Sequence, residues 1–467
     1  MNKLLIVAFV CVSNFVLTQS LSSNAENNEV NTFIEETIDQ LGIPGVAVAI
    51  VQDNKIVYKN YLGRASLEYN VPVTDSSLFR LHSLSKVFVS VGIFQLIEQD
   101  RIALNDKISK YLTDLPDDWK NIEIKHLLSH SSGLPDMRDE TNASEAIAKT
   151  NVYAMPIVFE PGERPAYNQT NFWLLNRIVR KLTSGSFQDF ITTQFKKDSP
   201  VMFSNISDVV FNRVTEYKPN AFGELRHDHF IVQEYLYGAG GITMRLDDLI
   251  AWDIKLNNNR LISEAFKKIM LTSFPYKVGA AFSYAWYELS LNGISSYGFN
   301  GGGLVNYRIF PSKNISVIWF TNGYKIPHDL DGITNKLAGF FDEDLVDLAP
   351  EAGKKLHELF SSNTSENISS SYQNIKKEYP YVDFENVLNS LGYNFIMAKK
   401  YTKAIDVFKL NTEKFPTSSN TYDSLGEGYY LNNQMELSRI NYSKSLELDP
   451  SNTNALEMIQ KIKSGKN

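Results

Sequence analysis

Apolar residues gather along the chain in two strand-like regions separated by a long helical middle. Val46–Val51 and Lys55–Tyr61 are rich in β-branched and aromatic residues around the turn Gln52-Asp53-Asn54, which predicts a hairpin. A second pair, Val305–Phe310 and Ile315–Thr321, brackets Pro311-Ser312-Lys313-Asn314. Both pairs suit one antiparallel sheet built from the two ends of a domain. Between them the period changes to that of a helix. Ser83–Gln99 is apolar at Val87, Phe88, Val91, Phe94 and Ile97, and Asn171–Leu182 at Phe172, Leu175, Ile178, Val179 and Leu182. The expected class is α+β: an antiparallel sheet flanked by helices, with a helical subdomain inserted.

Past Pro350 the composition shifts to polar helix formers, and a repeat appears. Leu388-Asn389-Ser390-Leu391-Gly392 recurs as Tyr422-Asp423-Ser424-Leu425-Gly426, Phe395 as Tyr429, Phe408 as Tyr442 and Pro416 as Pro450. The offset is that of tetratricopeptide repeats, which this array resembles; such repeats are stacked helix pairs about 34 residues long. The expected division is residues 1–25 as a signal peptide, 26–345 as the main domain and 346–467 as an all-α repeat array.

Composition is globular, with 43% hydrophobic and 21% charged residues, and the net charge of −7 with no basic block argues against nucleic acid as partner. Lys3 followed by the apolar run Leu4–Leu17 reads as a secretory signal, too short for a span. The chain is therefore expected to be exported, periplasmic or extracellular, without a transmembrane segment after cleavage. Cys11 is the single cysteine, and Val10 before it does not fit a lipid-attachment site. No disulfide or thiol chemistry is expected of the mature chain. His126 and His130 have an i, i+4 spacing but lack the Glu of H-E-x-x-H, and His227 and His229 have no obvious further ligand. Neither a metal nor a cofactor is expected.

Candidate chemistry starts at Ser83-Leu84-Ser85-Lys86. On a helix Lys86 shares a face with Ser83. A serine hydroxyl needs a partner to take its proton, and a lysine desolvated by burial can do so. Tyr167, after the turn Pro161-Gly162-Glu163, offers a phenol as base or relay, and Gln169 an amide for a lysine or a substrate carbonyl. Tyr297-Gly298-Phe299-Asn300-Gly301-Gly302-Gly303 runs into the strand at Val305, and glycines there permit close approach of backbone to a ligand. Their amides can join that of Ser83 in an oxyanion hole. No G-x-S-x-G elbow occurs, which disfavours a Ser-His-Asp hydrolase.

Taken together, F-R-L-H-S-L-S-K, IEIKHLLSHSSGLP (Ile122–Pro135), F-E-P-G-E-R-P-A-Y-N-Q-T-N, GAGGI (Gly238–Ile242) and G-F-N-G-G resemble the serine β-lactamase family in its broad sense. That family includes class C β-lactamases, D-alanyl-D-alanine carboxypeptidases and related esterases, and the resemblance runs from about Val30 to Asp342. It implies Ser83 as acylated nucleophile, Lys86 as its activator and Tyr167 as general acid/base. The amides of Ser83 and Gly302 would be the oxyanion donors, with Gly301 beside them. Two departures stand out: Gln169 where the family has Asn, and Phe299 where it has His or Lys. Arg308, on the following strand, is a candidate to restore the lost positive charge. The expected function is a secreted serine hydrolase of esters or amides, with a small-molecule or peptide substrate. The alternative is a catalytically impaired binding or scaffold protein whose helical repeats engage a protein partner.

Overall fold

The computed structural model describes residues 27–140, 143–362, 368–450 and 452–464. The signal segment read at 1–25 lies outside the described residues. The chain forms two compact units, the first running to Ser290 and again over Ile294–Val346, the second taking Leu291–Gly293 and the residues from Asp347 onward.

A seven-stranded sheet dominates the first unit. β1 (Gly45–Gln52) and β2 (Lys55–Ser66) form the expected hairpin. Its turn residues Asp53 and Asn54 both have positive φ, 51° and 62°, the conformation that favours Asn, Asp and Gly in a two-residue hairpin loop. The strand order is β3 (Val71–Pro72), β2, β1, β12 (Ile315–Thr321), β11 (Val305–Phe310), β10 (Ile294–Gly301), β9 (Tyr287–Leu291). β1 pairs antiparallel with β12 from Val46↔Thr321 to Gln52↔Ile315, so the two ends of the domain meet at the sheet's centre. Both central strands are buried on both faces. That explains their near-continuous apolar runs in place of an alternation.

Successive residues of β11 show what covers each face. The Tyr307 hydroxyl donates to Asp253 on helix Leu246–Asn257 at 2.5 Å, whereas the Arg308 guanidinium meets Asp331 on helix Leu330–Gly339 at 2.7 Å. The helix over residues 27–41 packs on the latter side, with Phe33 5.8 Å from Phe340 between ring centroids. A smaller sheet orders β4 (Phe79–Arg80), β8 (Ile242–Met244) and β5 (Met202–Phe203), and β6 (Tyr217–Pro219) pairs with β7 (Leu225–His227). The fold is α+β.

The second unit is a run of helices. Phe384–Met397 and Tyr401–Lys414 form one pair, and Ser419–Leu431 and Met435–Leu448 the next. The repeated glycines sit where helices press together. A β-carbon on Gly392 would come 2.2 Å from the Phe408 ring, and one on Gly426 3.0 Å from the Tyr442 ring. The array is thus tetratricopeptide-like in arrangement as well as in pattern. Among the described residues no helix is long and apolar enough to cross a membrane.

Candidate active site

Ser83 lies in a single 3-10 turn, His82–Leu84, between β4 and helix Ser85–Glu98. The turn is pinned from both sides. Leu81 N donates to the Ile242 carbonyl at 2.8 Å, and Ile242 N donates to Ser85 Oγ at 3.1 Å. The Gly238–Ile242 segment is therefore the platform under the Ser83 turn. It also holds Lys86, whose Nζ donates to the Ala239 carbonyl at 2.6 Å. Helix Ser85–Glu98 is buried almost all round, and Lys86 is completely inaccessible. Burial drives the lysine below its ordinary pKa, while Tyr167 and Asp136 act against that shift.

Tyr167 reaches Ser83 from the helical side. Its hydroxyl donates to Ser83 Oγ at 2.7 Å, and its ring centroid is 4.7 Å from Lys86 Nζ. The segment Ile122–Pro135 explains how the phenol is held. Ala166 N donates to the His130 carbonyl at 2.7 Å, Asn168 N to His130 Nδ1 at 3.1 Å, and Asn168 Nδ2 to the Leu134 carbonyl at 2.6 Å. His130 is fully buried against Tyr167, and burial, reinforced by the nearby Lys86 charge, depresses its pKa. A neutral imidazole accepting an amide proton is what that position requires. His126 is likewise held low, at about 4, chiefly by burial.

The glycine segment closes the site from the sheet. β10 ends at Gly301, paired with Val305, and Gly302 and Gly303 turn with φ of 63° and 71°. A β-carbon on Gly301 would lie 2.0 Å from the Leu81 carbonyl oxygen, and one on Gly302 2.9 Å from the His82 ring. Glycine is thus required for the strand end to touch the Ser83 turn. Phe299 is buried, its ring 6.0 Å from those of Tyr167 and Phe282 and 5.9 Å from Lys86 Nζ. Together Tyr167, Phe172 and Phe299 surround the lysine with aromatic faces.

Ser83, Tyr167, Gln169 and Gly302 open on one cleft of about 250 Å³, also lined by Arg138, Lys218, Phe230, Val232 and Leu236. Gln169 starts helix Thr170–Thr183, and its backbone N is held by Asp136 at 2.8 Å, leaving its side chain on the cleft wall. Arg308 does not join this group. It is wholly buried and bound to Asp331 and Ser296, on the face of β11 opposite to Tyr307. The expectation that it restores charge opposite Ser83 is corrected by strand alternation. The cations at the cleft are instead Arg138, whose Nε is 3.6 Å from Asp136, and Lys218, 2.7 Å from Asp228. Motif reading did not single out Asp136, Arg138, Glu216 or Lys218, because nothing local in the sequence distinguishes them from surface charges.

A family model described as Beta-lactamase matches residues 30–338. The chain is 26% identical over 266 residues to Penicillin-binding protein 4* of Bacillus subtilis (strain 168), covering 51% of this chain and 58% of that one. It is 26% identical over 187 residues to Protein flp of Staphylococcus aureus (strain NCTC 8325 / PS 47), covering 38% and 37%. The chain thus spans 58% and 37% of the lengths of these curated relatives. Among solved structures, the octameric penicillin-binding protein homologue from Pyrococcus abyssi superposes with a TM-score of 0.60 at 20% identity, over 71% of this chain and 81% of that one. EstCE1, a hydrolase with promiscuous acyltransferase activity, gives 0.57 at 19% identity, over 70% and 99%. These two likenesses show the fold.

Proposed function

Since the chain belongs to the Beta-lactamase family, we propose that it is a serine hydrolase working through an acyl intermediate on Ser83. The observation that carries this reading is the 2.7 Å hydrogen bond between Tyr167 and Ser83, with the buried Lys86 beside the phenol. With Lys86 neutral, Tyr167 passes its phenol proton to the lysine and takes that of Ser83 as Oγ bonds to the substrate carbonyl carbon. The tetrahedral oxyanion is met by the amides of Ser83 and Gly302. As the intermediate collapses, Tyr167 protonates the departing oxygen or nitrogen. Water then attacks the acyl-serine along the same path in reverse, releasing the acid. Phe299, buried beside Tyr167 and Lys86, puts an apolar ring where the family resemblance implies a cation, which suits a neutral ester better than a carboxylate held at that position. Export directed by residues 1–25, and a protein-binding role for the helical array, complete the proposal.

The test is covalent labelling of the purified protein with a fluorophosphonate and a fluorescent penicillin, followed by mapping of the adduct. Label at Ser83, lost together with ester hydrolysis in Ser83→Ala, is the expected result. No label at Ser83 with either probe would favour the second reading, a binding or scaffold protein on the same fold. On its side stand the two departures from the family pattern, the buried Phe299 ring beside Tyr167 and Gln169 on the cleft.

A further inference from the structure

Three buried polar side chains, Glu216, Arg80 and the cleft-lining His82, take no part in this proton path. Glu216, 2% exposed, divides its carboxylate between two partners. Oε2 accepts from Arg80 Nη1 at 3.0 Å, and Oε1 lies 3.0 Å from His82 Nε2. Arg80 also donates Nη2 to the carbonyl of Phe230, a wall residue of the cleft, at 3.1 Å. His82 is the residue immediately before Ser83, and its φ of 47° is left-handed. A side-chain-bearing residue keeps that conformation only where its surroundings enforce it, and such outliers cluster at functional sites. Its imidazole is also what Gly302 rests on, since a β-carbon at Gly302 would come 2.9 Å from Cγ of that ring. One imidazole therefore touches both halves of the oxyanion site: the turn presenting the Ser83 amide and the turn presenting that of Gly302. Buried ion pairs are weak devices for stability alone, because apolar replacements of similar volume often serve as well.

We propose that Glu216 is a positioning residue for the oxyanion site and acts through His82. By fixing the imidazole it fixes the spacing of the two amides, while Arg80 ties the same carboxylate to the cleft wall at Phe230. The inference rests on the hydrolase reading and adds to it residues outside the Ser-Lys-Tyr set. The test compares wild type, Glu216→Gln, His82→Gly and the double variant on p-nitrophenyl butyrate, with Ser83 acylation by a fluorophosphonate and near-ultraviolet circular dichroism as companions. Displaced donors lose transition-state stabilisation more than substrate binding. Glu216→Gln is therefore expected to lower kcat about tenfold or more, with KM changed by less than about threefold. The double variant is expected to be no slower than His82→Gly alone. Unchanged kcat in folded Glu216→Gln, even with a lowered Tm, overturns the proposal, as do losses that multiply in the double variant. Should Glu216→Gln not fold, Glu216→Asp, which keeps the charge and shortens the reach, is read by the same outcomes. A labelled wild type with an equally fast-labelled Glu216→Gln overturns this inference alone. A wild type without label or turnover overturns the hydrolase reading and this one with it.

Discussion

The phenol oxygen of Tyr167 stands 2.7 Å from Oγ of Ser83, across 84 residues of sequence. Behind it Lys86 is sealed from solvent, its charge disfavoured by burial and only partly restored by Tyr167 and Asp136. Removing the hydroxyl in Tyr167→Phe should lower kcat/KM by about 10²–10⁴, the usual worth of a positioned acid or base. The pH profile follows from the direction of the lysine shift. A lysine that must be neutral to accept a proton makes the rate rise with pH and level off below the ~10.4 of a free lysine. Lys86→Arg, which stays charged, should lose most of the activity at every pH. Steady-state rates of ester hydrolysis between pH 5 and 10 check both expectations.

Neighbouring glycines at the end of β10 should respond differently to alanine. In Gly301→Ala the new methyl meets the Leu81 backbone carbonyl at 2.0 Å, a group that cannot swing aside as a side chain could, so the strand must retreat from the Ser83 turn. Loss of stability, seen as a lowered Tm, is expected there along with loss of activity. In Gly302→Ala the methyl meets the His82 ring at 2.9 Å in a residue with φ of 63°. There the fold should survive, while kcat falls about 10²–10³ from a misplaced oxyanion donor.

Arg308 offers a contrast within the same hairpin. Its buried guanidinium is paired with Asp331 across the far face of the sheet. Asp331→Ala leaves that charge uncompensated and should cost about 3–5 kcal/mol of unfolding free energy. The remaining folded protein should acylate Ser83 at the wild-type rate. A denaturant titration and a labelling time course separate the two effects.

Asp253 sets a pH dependence of stability distinct from that of activity. It is fully buried beneath the sheet, and burial pushes its carboxyl up to about 6 despite hydrogen bonds from Tyr307, Ser316 and Asn257. The native state therefore holds this proton more tightly than the unfolded chain, whose aspartate titrates near 3.9. Stability falls as pH rises from about 4 through 6 and is level above that, an effect of about 2–3 kcal/mol. Urea unfolding of wild type and Asp253→Asn at pH 4.5 and 7.5 should show the slope reduced in the variant.

The parts of this fold legible in sequence are those written in short, local patterns. The hairpin at Asp53-Asn54, the strands at Val305–Phe310 and Ile315–Thr321, and the helix pairs after Asp383 each carry their own period or turn residues. Ser83, Lys86 and Tyr167 were legible as a set because spacing and family resemblance name them together. The direction of Arg308 was not, since one position along a strand decides between two faces of the sheet. Nor were Glu216 and Ala239. A carboxylate chosen for its reach across a buried gap, and a carbonyl that could belong to any residue, leave no trace in local pattern. Ser83 itself proved to sit in a 3-10 turn ahead of the helix and not within it, because β4 must first cross to the Ile242 platform.

Because Val46 pairs with Thr321, the sheet has no centre until nearly all of the domain has been made. A nascent chain carries β1, apolar on both faces, with one long edge open and waiting for β12. Ser83 emerges early and Gly302 late, so a chain stopped between them has the proposed nucleophile without its proposed oxyanion partner. Truncated products should thus be inert and adhesive at once. The arrival of the last hairpin covers that edge and, on the proposed function, completes the site in the same step.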